Sequence, residues 1–417
     1  MKLSTSSLLL LGLPALSASL SQSASVDLTS PTTAFRHNWE ECVGSGHMLL
    51  GTRADWRAHL KLAHDELGMQ RIRGHGLLDD DMSAVTGRTG STLNTEFYNV
   101  DQVFDYLVSL DMQPVVELSF MPSNFVECGG SKQPSCAYAF NDHGGYKGLI
   151  MPPDDFNYWY NLIHDLASHL VERYGLDEVR QWNFEVWNEM WGIAFPDPYM
   201  SLFNASSQAL KAVDAKLRVG GPATMQTLYV ADFIAATKKQ KVAVDFVSSH
   251  FYPTDPECQT SSTKSTTDCF VDMVTNASHQ AAEADLPFYL TEYNNGLGGS
   301  SRDDASAAAF VYRMIPQVQA LDMFSWWTFT DVFEEQWMLS TPFHNGFGMM
   351  TVQGTRKPVW RAFQTLHAAG DERYAVTSPQ TQDRNAAVSV LATTVALEEA
   401  EEQQKTFSSS ENPCSTR

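Results

Sequence analysis

The sequence predicts an α/β fold: a TIM (β/α)8 barrel over residues 30–370, followed by a small C-terminal β appendage, either short in itself or truncated. Three observations carry this. Short apolar runs alternate with amphipathic stretches from Trp39 to Ala369, as parallel strands joined by helical crossovers require. Eight such runs can be counted, the number that closes a barrel. No Gly-rich phosphate fingerprint opens the first unit, which disfavours an open doubly wound sheet.

In chain order, residues 1–24 read as a secretory signal peptide. Met1-Lys2 precedes the apolar run Leu8–Leu13 and then small residues, with cleavage expected between Ala18 and Ser25. Barrel strands are expected at Trp39–Gly46, Gln70–Gly74, Gln113–Phe120, Val179–Trp187, Arg218–Gly221, Asp245–His250, Phe288–Thr291 and Met323–Phe329. Helices are expected between them, including Asp55–Leu67, Val100–Leu110, Asp155–Tyr174 and Asp304–Ala320. In Asp155–Tyr174, Trp159, Leu162, Ile163, Leu166 and Leu170 fall on one helical face. Residues 371–395 read as a β appendage with strands at Tyr374–Thr377 and Ala386–Thr393. Two strands do not form a stable sheet alone, so they pack on the barrel, join N-terminal strands near Ala34–Arg36, or belong to a second domain that has been cut short. Residues 396–417 are an acidic and polar tail, expected to be disordered.

The formal net charge of −21 argues against nucleic acid or an anionic membrane as partner, because both would be repelled. Beyond the leader, no segment is long and apolar enough to span a bilayer. Export makes disulfides permissible, and Cys128/Cys136 and Cys258/Cys269 bracket short loops as local staples. Cys42, in an expected buried strand, reads as an inert thiol, and Cys414 lies in the polar tail. Asn204-Ala205-Ser206 and Asn276-Ala277-Ser278 fit the N-glycosylation acceptor pattern. No Cys/His spacing suggests zinc, so no metal or cofactor is expected. The oligomeric state is left open.

The chemistry lies at the strand ends. Trp182–Trp187 runs as an apolar strand into Asn188-Glu189, and Pro287–Thr291 runs into Glu292. A TIM barrel gathers its strand C-termini around one mouth. Two glutamates held there can face each other across a sugar, one as general acid and one as nucleophile. Other strands end in His75, near Phe120, in His250 with Tyr252 beyond, and in Trp327 followed by Glu334 and Glu335. Aromatic faces beside polar groups suit a carbohydrate. A uronic acid would require Lys or Arg in the pocket, whereas these strand ends supply acids and histidines, so a neutral sugar is favoured. Arg302 and Lys147 lie on loops within reach of the site, which keeps a uronidase open.

Nine segments, in order, resemble glycoside hydrolase family 39, the family of β-xylosidases and α-L-iduronidases. They are Trp39–His47, Glu66–Gly68 leading into Arg73–Gly76, Glu117–Pro122, Phe184–Glu189, Ser249–Pro253, Leu290–Asn294, Trp327–Glu335, Gly346–Gly348 and Lys357-Pro358. The resemblance implies a retaining mechanism, with Glu189 as acid/base and Glu292 as nucleophile. It implies a glycone pocket lined by His75, Phe120, Asn188, His250, Tyr252, Trp327, Glu334 and Glu335. It points to a secreted exo-acting β-xylosidase whose partner is an oligosaccharide or glycoside. The alternatives are an iduronidase-like or arabinosidase-like enzyme on the same scaffold, or a sugar-binding protein without turnover. This chain departs from the family pattern in three places. Met190-Trp191 replaces a proline after the acid/base glutamate, Asn295–Gly298 replaces a Ser-Tyr step, and the C-terminal sandwich is shorter.

Overall fold

A computed structural model describes residues 23–90, 92–129, 135–140, 146–260, 265–298, 301–377 and 389–394. Eight strands close a parallel barrel in chain order. They are β1 (Cys42–His47), β2 (Arg71–His75), β3 (Gln113–Leu118), β4 (Asn183–Val186), β5 (Arg218–Thr224), β6 (Phe246–His250), β7 (Phe288–Tyr293) and β8 (Met323–Trp326). Around them lie α1 (Ala54–Leu67), α2 (Tyr98–Val108), α3 (Phe156–Tyr174), α4 (Tyr199–Val213), α5 (Val230–Gln240), α6 (Thr266–Ala282), α7 (Ala305–Met314) and α8 (Pro358–His367). Among the described residues no helix is long and apolar enough to cross a membrane.

Local chemistry sets the boundaries. Asp155 caps α3 by accepting the Asn157 backbone N–H at 2.8 Å, and the five apolar residues of its predicted face are all buried. Gly68, at φ 70°, ends α1 in the left-handed conformation that glycine adopts without a Cβ penalty. Helix α7 stops at Met314, short of the predicted Ala320. Pro316 has no N–H to continue the ladder, so a single 3-10 turn follows. The predicted strand over Val179–Trp187 starts only at Asn183. Val179 closes a helical turn by donating its N–H to the Gly175 carbonyl, and the Trp182 N–H closes the next onto the Val179 carbonyl.

The barrel interior is layered. At its N-terminal end Cys42, Val115, Phe246, Tyr289 and Met323 form a small apolar plug. Burial there pushes the Cys42 thiol up to about 12, so it stays protonated and inert. Above the plug comes a charged layer, and above that the mouth. Glycine makes room at the mouth: a Cβ on Gly46 would stand 2.7 Å from the Glu334 carboxylate.

Both cysteine pairs are disulfides, with Cα atoms 5.3 Å apart for Cys128–Cys136 and 5.5 Å for Cys258–Cys269. Beyond α8, Glu372–Arg373 pairs antiparallel with Thr33–Ala34 and with Thr393–Thr394, and Val376–Thr377 pairs with Ser25–Val26. Of the strand expected over Ala386–Thr393, residues 386–388 fall outside the described residues, 389–392 form no strand, and only Thr393 pairs, in the two-residue strand Thr393–Thr394. Residues 1–22 of the leader, the 396–417 tail and Cys414 also fall outside the described residues. Both sequon asparagines lie within helices: Asn204 is half-buried on α4 and Asn276 is exposed on α6.

Candidate active site

The charged layer is built around Arg73 on β2. Strand register sets Glu117 of β3 beside Glu185 of β4, two like charges that need a cation between them. Arg73 supplies it. Its Nε donates to Glu185 at 2.6 Å and a terminal nitrogen lies 2.8 Å from Glu117. That same nitrogen donates to Asn188 Oδ1 at 2.9 Å, and the other lies 3.5 Å from Glu292. Thr291 completes Glu185 at 2.7 Å. Burial opposes charge on Glu117, yet Arg73 and His75 beside it hold its carboxyl below the usual range.

The strand ends rise from this layer. At the end of β4 the backbone turns left-handed at Trp187 (φ 73°) and again at Glu189 (φ 51°), and the Glu189 N–H is anchored on the Ala223 carbonyl at 2.8 Å. Non-glycine residues held in this region cluster at functional sites. Register pairs His250 of β6 with Glu292 of β7. One oxygen of Glu189, one of Glu292 and a ring nitrogen of His250 all lie within 4.8 Å of one another. His250 Nδ1 is 3.0 Å from Glu189 Oε1 and 3.5 Å from Glu292 Oε2. The Tyr252 hydroxyl donates to the other Glu292 oxygen.

The two glutamates are electrostatically unequal. Burial, and then the Glu292 charge, push Glu189 well above the usual carboxylate range. Burial also raises Glu292, but His75, Arg73 and the Tyr252 hydroxyl all oppose the shift. Glu189 is therefore the member that holds a proton. Burial, with Arg73 and His75 nearby, drives His250 far down, so its imidazole is neutral.

All ten residues implied by the resemblance gather at this mouth. His75 donates its Nδ1–H to the Glu117 carboxylate at 2.9 Å and stands 3.6 Å from Glu335 through Nε2. Its ring centroid is 4.6 Å from Trp327 and 6.0 Å from Phe120. Glu334 accepts the His47 backbone N–H at 2.7 Å. His250 is wholly buried, so it contacts the carboxylate pair from beneath. Burial first, then Glu334, Glu292 and Glu189, push Glu335 well up. Asn188 Nδ2, Glu334 Oε2 and Glu335 Oε1 are buried and have no hydrogen-bond partner among the described residues.

Arg73 and Glu185 have parts that sequence reasoning did not assign. For both the signal existed, since a charged residue inside an apolar strand needs a partner. Arg302 and Lys147, by contrast, do not enter the pocket. The Arg302 guanidinium donates to the carbonyls of Gly296 at 2.7 Å and Asn345 at 3.1 Å, and Lys147 is exposed.

A closed parallel barrel with a facing carboxylate pair at its mouth is the arrangement that glycoside hydrolysis uses. The chain belongs to glycosyl hydrolases family 39, whose sequence model matches residues 23–410. It is 38% identical over 370 residues to a β-xylosidase of Caldicellulosiruptor saccharolyticus, covering 85% of this chain and 72% of that one. It is 34% identical over 364 residues to a β-xylosidase of Geobacillus stearothermophilus, covering 81% and 69%. The solved structure of a family 39 β-xylosidase from Caulobacter crescentus superposes with a TM-score of 0.72 at 31% identity, covering 84% of this chain and 76% of that one.

Proposed function

We propose that this glycoside hydrolase is a secreted, retaining exo-β-xylosidase working by double displacement. The observation that supports the mechanism is that one Glu189 oxygen and one Glu292 oxygen lie within 4.8 Å of each other and share the His250 ring nitrogen, which puts the pair on the close side of the range for such carboxyl groups. Retaining pairs stand about 5–5.5 Å apart, whereas inverting pairs leave about 6.5–9.5 Å for a water.

His250 donates Nδ1–H to Glu189 Oε1, which leaves Oε2 to carry the acidic proton. Glu292, its carboxylate favoured by His75 and Arg73 against the burial that raises it and oriented by Tyr252, attacks the anomeric carbon. The bond to the leaving oxygen breaks as Glu189 protonates it, and a glycosyl ester forms on Glu292. Glu292 is then neutral, so the Glu189 pKa falls. Glu189 takes a proton from water, whose oxygen displaces Glu292 and releases the sugar. Asn188 Nδ2, with Oδ1 fixed by Arg73, donates to the sugar 2-hydroxyl.

Xylose as glycone rests on the two β-xylosidase relatives and on the polar groups the pocket offers. Glu334 and Glu335 accept from hydroxyls, while Arg302, a cation a uronate could use, is committed to the carbonyls of Gly296 and Asn345. The two disulfides and the leader-like N-terminus support export.

A 2-deoxy-2-fluoro-β-xyloside with a good leaving group should inactivate the enzyme and add one fluoroxylosyl mass to the peptide carrying Glu292. A panel of aryl glycosides should show xylosides turned over fastest. An α-configured first product by NMR, or a preference for uronides, would overturn the reading.

A further inference from the structure

We propose that Trp191 and Phe140 form a wall against which the departing sugar rests, so that the site is built for oligosaccharides with a flat second ring. This rests on the xylosidase reading above and extends it to the leaving group.

Glu189 must reach the glycosidic oxygen, so the leaving group emerges on its side. Trp191 follows two residues later. The chain turns sharply there, with Glu189 at φ 51° and Gly192 at φ 67°. A Cβ on Gly192 would stand 1.6 Å from the Ile150 carbonyl oxygen, so the turn presses backbone to backbone on the segment after Tyr146. No side chain fits, and the turn fixes where Trp191 stands.

The Trp191 ring lies 20° from parallel with Phe120 at 6.3 Å and meets Phe140 edge-on at 5.4 Å. Phe120 is fully buried and helps floor the pocket, whereas Trp191 and Phe140 are both half-exposed. At these two rings the aromatic surface of the site reaches solvent. The C–H face of a pyranose packs on such a surface.

The wall is rigid from behind as well. Phe140 takes a left-handed backbone at φ 59°, where a non-glycine residue is strained, and such strain concentrates at ligand clamps. Immediately before it, Tyr138–Ala139 pairs antiparallel with Gly148–Leu149. The Cys128–Cys136 disulfide closes the preceding loop. Preorganised rings bind without the cost of ordering loops on contact.

The test compares xylobiose with methyl β-xyloside. Both leaving groups are alkoxides that need the Glu189 proton, and they differ in the second ring. Trp191→Ala should lower the ratio of their kcat/KM values by about tenfold or more, as expected for one lost apolar contact surface. Trp191→Phe should recover most of it. Phe140→Ala, from the other side of the wall, should move the ratio in the same direction, so the outcome does not hang on one variant folding. An equal loss on both substrates, or no loss, would overturn the inference. A wild type that hydrolyses neither substrate would remove the xylosidase reading itself, and this inference with it.

Discussion

Two groups of buried carboxylates share this barrel, and they are completed differently. Around Arg73, the Glu117 and Glu185 oxygens are bonded to Arg73, His75, Ser119 or Thr291. One layer higher, Glu189, Glu334, Glu335 and Asp79 are pushed up by burial. There, Glu334, Glu335 and Asp79 each keep an oxygen without a hydrogen-bond partner among the described residues. An unpaired buried polar atom costs about 1–3 kcal/mol. The lower group therefore builds the barrel, and the upper group is arranged for a ligand that brings its own hydroxyls.

The largest effect should come from crossing between the groups at Glu292, which touches both. Glu292→Ala should cut kcat by about 10⁴-fold or more. Its melting temperature should hold or rise, because a like charge leaves the crowded mouth. A parallel loss of stability would place Glu292 with the structural group.

Arg73→Met should reverse that pattern. It strands Glu117 and Glu185 without a cation, and breaking a buried pair costs about 3–5 kcal/mol. Urea unfolding should show that loss, and a variant as stable as wild type would contradict the division.

Asp79 sharpens the comparison through pH. Burial raises its carboxyl to about 7, against opposition from His47. The folded state thus holds a proton that the unfolded chain releases above about pH 4. The Asp79 contribution is fully present below that value and is lost as pH rises towards 7. Asp79→Asn should flatten this decline by on the order of 1–3 kcal/mol, read from unfolding at pH 4 and pH 7. The exposed Lys61–Asp65 pair on α1 marks the small end of the scale. Its removal should change stability by about 0.5 kcal/mol or less.

Much of this was legible in the sequence because it is periodic. Apolar runs gave eight strands in order, and the polar residue ending each run marked the mouth, which is how Glu189 and Glu292 could be singled out. Boundaries were less legible where a local bond overrides the pattern, as at Val179 and at Pro316. The role of Arg73 was hidden because its partners lie on other strands, 112 and 219 residues away. The meeting of Trp191 with Phe140 depends on the turn at Gly192, which leaves no periodic trace. The appendage does meet an N-terminal strand where the sequence suggested one, near Ala34, although that strand, Thr33–Ala34, is only two residues long.

The central claim is that Glu189 is the acid/base and Glu292 the nucleophile. Kinetics of Glu189→Ala across aryl β-xylosides of graded leaving-group pKa test it most directly. Good leaving groups depart without a proton, so the loss should be small for them and should grow as the leaving group worsens. With good leaving groups the covalent intermediate should accumulate, because its hydrolysis lacks a base. Azide needs no base and should restore turnover, giving a β-xylosyl azide. A similar loss for every leaving group, with no azide product, would contradict the assignment.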